Sequence, residues 1–178
     1  MNAFDREADL GQDLGFRLLM NTAVSLFHRR QVLDETCAWL AEQGYQVTVL
    51  DASLWPHEAD MHRAISEALG FPRYYGRNLD ALNDCLRDVI VHEYGWDASA
   101  TGLALVLMGF DAFASACPRP AQVLLDVVAS RSREAALYGG RMMCLVQSDN
   151  PRISFDPVGA MPVLWNDAEW LDSARLAP

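Results

Sequence analysis

Two uninterrupted apolar runs, Leu103-Ala104-Leu105-Val106-Leu107-Met108 and Met142-Met143-Cys144-Leu145-Val146, restrict the fold of this chain more than anything else in it. A strand with one face in water alternates apolar and polar residues, so an unbroken run belongs to a strand covered on both faces. Between the two runs, residues 118–137 carry Val123, Leu124, Val127 and Val128 on one side of a helix. Strand, helix and strand in succession give a parallel sheet with right-handed crossovers. Upstream, the β-forming stretch YQVTVLDAS, beginning at Tyr45, adds another strand. Residues 58–69 add a helix with Met61, Ile65, Ala68 and Leu69 inward, ended by Gly70 and Pro72. The fold class is therefore α/β, a small, mainly parallel sheet packed with helices.

The flanks are less regular. Residues 1–15 are polar and contain glycine, the pattern of a loosely held arm. Residues 16–27 have two short apolar runs around Asn21-Thr22, which read first as a β-hairpin and alternatively as a helix, buried in either case. Residues 29–43 place Val32, Leu33, Trp39 and Leu40 in helical register and stop at Gly44. After Asn150 a proline-containing loop leads to an edge strand at 161–165, where Pro162 is tolerated, and 167–176 closes as a short helix. A chain of 178 residues, 51% of them apolar, suffices for one well-formed core with a small appendage and not for two full domains. The expected organisation is an N-terminal extension over 1–44 packed on the core, a main domain over 45–147 and a C-terminal extension over 148–178.

Charge and cysteines exclude whole classes of function. Twenty-four acids against 14 bases give a formal net charge of −10, which repels nucleic acid and attracts basic proteins. Cys37, Cys85, Cys117 and Cys144 are dispersed, without a C-x-x-C pair or histidines at ligand spacing, and read as buried, reduced thiols. The acidic start of the chain and the lack of a long apolar run predict a cytoplasmic protein with no membrane span. His57-Glu58 followed by His62 misses the zinc-protease spacing by one residue; five residues turn a helix by about 140°, so the imidazoles diverge and no metal site is expected. Nucleophile-elbow and nucleotide-loop motifs are absent, and Asp80 with Asp84 on one helix cannot flank a substrate from two sides. Trp55, Trp96, Trp165 and Trp170 read as packing rather than a ligand platform. Neither catalysis nor a cofactor is expected.

The residues that carry function stand in Tyr74-Tyr75-Gly76-Arg77-Asn78-Leu79-Asp80-Ala81-Leu82-Asn83-Asp84-Cys85-Leu86. Gly76 is suited to the positive φ of a sharp loop, and Asn78 is a good N-cap for a helix starting at Leu79. Leu79, Leu82, Leu86, Val89 and Ile90 form an apolar stripe. Asp80, Asp84 and Asp88 fall on another side. Like charges four apart cost a helix about 0.2–0.5 kcal/mol per pair. A row of acids is commonly a solvated face, and a basic partner is the alternative that would relieve the repulsion.

This run, preceded by Ala68-Leu69-Gly70-Phe71-Pro72, resembles the signature of the barstar family, intracellular inhibitors of small, secreted, basic ribonucleases of the barnase type. The resemblance extends from about Tyr45 to Val146, making 45–147 a barstar-like domain. It implies an inhibitory face with Tyr74 in the loop before the helix and with Asp80 and Asp84 projecting toward the nuclease's basic active site. Gly76, Asn78 and Leu79 would shape the edge of the contact, and Asp88 continues the acidic row. Glu134, in Arg133-Glu134-Ala135 followed by Gly139, corresponds to a further glutamate near the end of a later helix. The chain departs from the prototype at Arg77, where the inhibitor has an acid, and at Asn83, where it has a tryptophan. The segment over 92–102 is also longer. The partner implied is a basic ribonuclease; the alternative is another basic protein, a different toxin or a regulator, bound through the same fold.

Overall fold

The computed structural model describes residues 14–176. Of the expected arm, only Leu14 and Gly15 lie within them, and they open a helix. Chain order begins with α1 (Leu14–Asn21), β1 (Val24–Phe27), α2 (Arg30–Glu42), β2 (Gln46–Asp51) and a 3-10 turn at Ala52–Leu54. It continues with α3 (Glu58–Ala68), α4 (Leu79–Ile90), β3 (Leu103–Met108), α5 (Phe110–Ala116), α6 (Pro118–Leu137) and β4 (Met142–Gln147). It closes with β5 (Leu164–Trp165), a second 3-10 turn at Asp167–Glu169, and α7 (Asp172–Leu176). The strands form one sheet in the order β2-β3-β4-β1-β5, and every pairing is parallel.

Both faces of that sheet are covered, which accounts for the unbroken apolar runs. Leu103, Leu105 and Leu107 of β3, with Met142, Cys144 and Val146 of β4, join the core built with α3, α4, α5 and α6. Ala104, Val106, Met143 and Leu145 point the other way, into a second core with Leu18 of α1 and Leu33 and Leu40 of α2. The residues before Tyr45 thus supply a whole layer. They also supply a strand, since β1 lies between β4 and β5 and all four of its residues are buried.

The hairpin expected over 16–27 does not form. The first half is helix α1, and the second half, β1, pairs parallel with β4, Val24 opposite Cys144 and Leu26 opposite Val146. A four-residue strand buried on both faces needs partners on both edges. A hairpin would leave it only one, whereas the slot between β4 and β5 provides two. α2 ends in a closure at Gly44, φ +81°, with Gly44 N–H bonded to the Ala41 carbonyl and Tyr45 N–H to that of Leu40.

The C-terminal region is fastened through a single carboxylate. Glu169 is fully buried and accepts from His28 N–H at 2.9 Å, Arg29 N–H at 2.9 Å, Arg29 Nε at 3.1 Å and Asn166 Nδ2 at 2.6 Å. It sits at the start of α2, whose N-cap, Arg29, offers no side-chain cap of its own, so a distant acid answers the positive end of the helix dipole. Burial raises the Glu169 carboxyl, but these four donors outweigh it and hold the group below its ordinary value.

All four cysteines are unpaired. Cys85 and Cys144 are buried, and burial pushes Cys144 up to about 12. Cys37 and Cys117 are only partly covered; Cys37 lies on α2, and Cys117 is the cap residue between α5 and α6. Trp55 and Trp96 are buried, whereas Trp170 is exposed. No described helix is long and apolar enough to cross a membrane.

Candidate functional site

The loop before α4 is anchored by one tyrosine and presents the next. Tyr75 is buried, packs edge-on against Phe71 at 5.0 Å between centroids, and meets His62 Nδ1 of α3 through its hydroxyl at 2.5 Å. His62 Nε2 lies 3.2 Å from Glu58 Oε1. One neutral tautomer satisfies both contacts, with Nδ1 accepting from the phenol and Nε2–H donating to the carboxylate. Burial lowers the His62 pKa, and Glu58 only partly offsets it. The histidine that misses metal spacing therefore holds the loop in place. Among the described residues no three His, Cys, Asp or Glu side chains are grouped to hold a metal ion. With Tyr75 fixed inward, Tyr74 is turned outward and is 84% exposed.

The turn into the helix does not use Gly76 as expected. Gly76 does not have a positive φ; Arg77 does, at +49°. Gly76 serves a packing role, since a Cβ there would stand 3.2 Å from Asn78 Nδ2 and 3.5 Å from the Ala81 Cβ. A left-handed residue with a side chain is unusual and carries strain. It is tolerated here because Asn78 caps the helix directly afterwards, its Oδ1 accepting from Ala81 N–H at 2.8 Å.

α4 is held by its apolar stripe: Leu82, Cys85, Leu86, Val89 and Ile90 are buried, and Leu79 and Ala81 pack partly against the same core. Its opposite face meets solvent. Asp80 is exposed and has no partner among the described residues. The Asp84 side chain is 71% exposed, with only a long contact of 4.0 Å to Arg87. Asn83 is half-buried beside it. Asp88, expected in the same row, leans the other way and accepts from the Tyr94 hydroxyl at 3.0 Å, which leaves it less free for a partner.

Glu134 comes to this face from α6. Its carboxylate pairs with Arg131 on its own helix and stands 3.9 Å from Arg87 Nε of α4. Arg87 thus lies between Asp84 and Glu134. It is absent from the expected set of site residues, although an arginine three residues after an aspartate on a helix is a readable pairing signal. The segment after α4 is pinned to the sheet edge by Gln46, whose amide donates to the Gly95 carbonyl at 2.7 Å and accepts from Asp97 N–H at 2.8 Å.

Tyr74, Asp80, Asp84 and Glu134 are therefore carried on a rigid base formed by the Tyr75 anchor, the Asn78 cap and the packing of α4 on α6. Nothing in the group pairs a nucleophile with a base. The exposed carboxylates of Asp80 and Asp84 suit cations, and the exposed Tyr74 ring suits aromatic contact. No curated protein matches the chain. Residues 45–147, more than half of the chain, match the sequence profile described as Barstar (barnase inhibitor), and the chain belongs to that family.

Proposed function

We propose that the chain inhibits a small basic ribonuclease by seating the outer face of α4, with Tyr74 and Glu134, in the enzyme's substrate cleft, where its carboxylates stand in for phosphate charge. The observation that carries the reading is the pair Asp80 and Asp84. They are acids of one helix, left without close partners in solvent, on a scaffold whose family inhibits barnase. A fold does not need like charges stacked there. No cofactor enters the reading, and an inhibitor of a secreted nuclease would guard the cytoplasm of the cell that makes it.

Binding kinetics against a purified barnase-type ribonuclease test this at two salt concentrations. Charge steering predicts an on-rate that falls steeply with salt while the off-rate changes much less. Asp80→Ala or Asp84→Ala leaves a desolvated cation on the enzyme without its partner and costs on the order of 2–5 kcal/mol, mainly in the off-rate. Tight binding indifferent to salt and to both aspartates would sink the proposal. A second reading, a different basic protein docking on the same face, draws on Arg87, which sets a cation between Asp84 and Glu134, and on Arg77, exposed in the loop before α4. It is favoured if no barnase-type ribonuclease binds.

A further inference from the structure

The outer faces of α4 and α6 turn from acidic to apolar one helical turn beyond the Arg87–Glu134 contact. On α4 the row that starts with Asp80 and Asp84 passes Arg87 and ends at Val91, which is 45% exposed. On α6 the residues three and four beyond Glu134 are Leu137 and Tyr138, 83% and 67% exposed. Residues at this spacing are neighbours on a helix surface. The two helices approach each other near these ends, where Arg87 Nε stands 3.9 Å from the Glu134 carboxylate. Trp96, in the segment after α4, backs onto Gly140 just beyond α6, where a Cβ would sit 3.1 Å from its ring.

Leu137 and Tyr138 are little used by the fold, and Val91 is nearly half exposed. The Tyr138 hydroxyl has no hydrogen-bond partner among the described residues, and Leu137 stands almost wholly in solvent. Large apolar side chains gathered beside a polar rim mark interaction surfaces more often than they decorate a monomer. Arg87 also divides the surface electrically. It stands 4.0 Å from Asp84 and 3.9 Å from Glu134 and offsets part of their charge where the acidic row gives way to Val91.

We infer that Val91, Leu137 and Tyr138 are the apolar half of the docking surface whose acidic half is Asp80, Asp84 and Glu134. The partner is a basic protein with an apolar shelf beside its cationic cleft. The inference rests on the inhibitory reading of the acidic face. Continuity with that face and charge complementarity select this occupant. A second copy of the chain would bring the same acidic row and the same net charge of −10 against its own.

The test compares Leu137→Ser/Tyr138→Ala with Asp84→Ala and the unaltered chain, against a purified barnase-type ribonuclease, with thermal unfolding of each variant alongside. The apolar double variant is expected to unfold at the temperature of the unaltered chain and to dissociate about 10-fold faster or more, equally at low and high salt. A wild-type off-rate in the double variant, with binding lost in Asp84→Ala, overturns the apolar half and leaves the acidic reading standing. No binding by the unaltered chain, or none of it sensitive to Asp84, overturns both. A dimer in sedimentation that the double variant abolishes assigns the patch to self-association and overturns the inference.

Discussion

Asp84 and Glu169 are carboxylates of the same chain in opposite situations. Asp84 stands in water on α4, near a row-mate of its own charge and with one arginine at a loose 4.0 Å. Glu169 has no exposed surface at all and accepts from two backbone amides, an asparagine and an arginine. The fold consumes one acid completely, to tie the C-terminal region to the start of α2, and leaves the other out of its own bonding. A carboxylate that stability does not require is one that a partner can use.

That contrast breaks most easily at Glu169. Glu169→Ala strands two backbone amides and the buried Asn166 amide, while the half-exposed Arg29 guanidinium turns to water, and is expected to cost about 4 kcal/mol in chemical denaturation, in the range for leaving several donors without their acceptor. A loss below about 1 kcal/mol, no more than an ordinary hydrogen bond, would mean that the clasp holds little. Leu82→Ala removes a fully buried side chain from beneath the acidic face. It is expected to cost about 3 kcal/mol as a core truncation, which separates the scaffold of α4 from its display.

Acid sharpens the comparison further. Both His62 and Glu169 have folded-state pKa values below their ordinary ones, 6.5 and 4.5, so the unfolded chain takes up each proton at the higher pH. Their contributions are complete above those values and are lost as pH falls through them. Stability measured against pH should decline below 6.5 and again below 4.5. His62→Gln is expected to remove the first decline and keep the second. The smallest effect belongs to Asp84→Ala, which relieves like-charge repulsion and should shift stability by no more than about 0.5 kcal/mol in either direction. A larger destabilisation would give Asp84 a structural role and erase the difference from Glu169.

The sequence was readable where a physical demand is local. Asn78 capping α4, the stripe from Leu82 to Ile90 and the doubly covered strands β3 and β4 all follow from spacing within a dozen residues. Where the demand is distant, the reading failed or was silent. Val24–Phe27 looks the same whether its partner is the preceding run or β4. Nothing around Glu169 signals that its donors lie at His28 and Arg29. The left-handed residue at Arg77 was assigned to its neighbour because glycine tolerates that region without cost, while the helix start placed the turn one position later. Glu134 came from family spacing, and its approach to Arg87 depends on how α6 crosses α4.

The insertion of β1 between β4 and β5 sets a schedule as well as a shape. β1 is the first strand among the described residues, yet both its neighbours are the last two, with Val24 opposite Cys144 and Ser25 opposite Leu164. While β2 and β3 can find each other across the intervening α3 and α4, β1 must wait for residues 142–147 and 164–165. Pairings of such long sequence separation carry a large loop-closure entropy before they return any enthalpy, and they slow folding. The apolar VSLF segment therefore lacks both of its sheet partners until residues 142–165 have been made, and closure of the sheet depends on strands that follow it by more than a hundred residues.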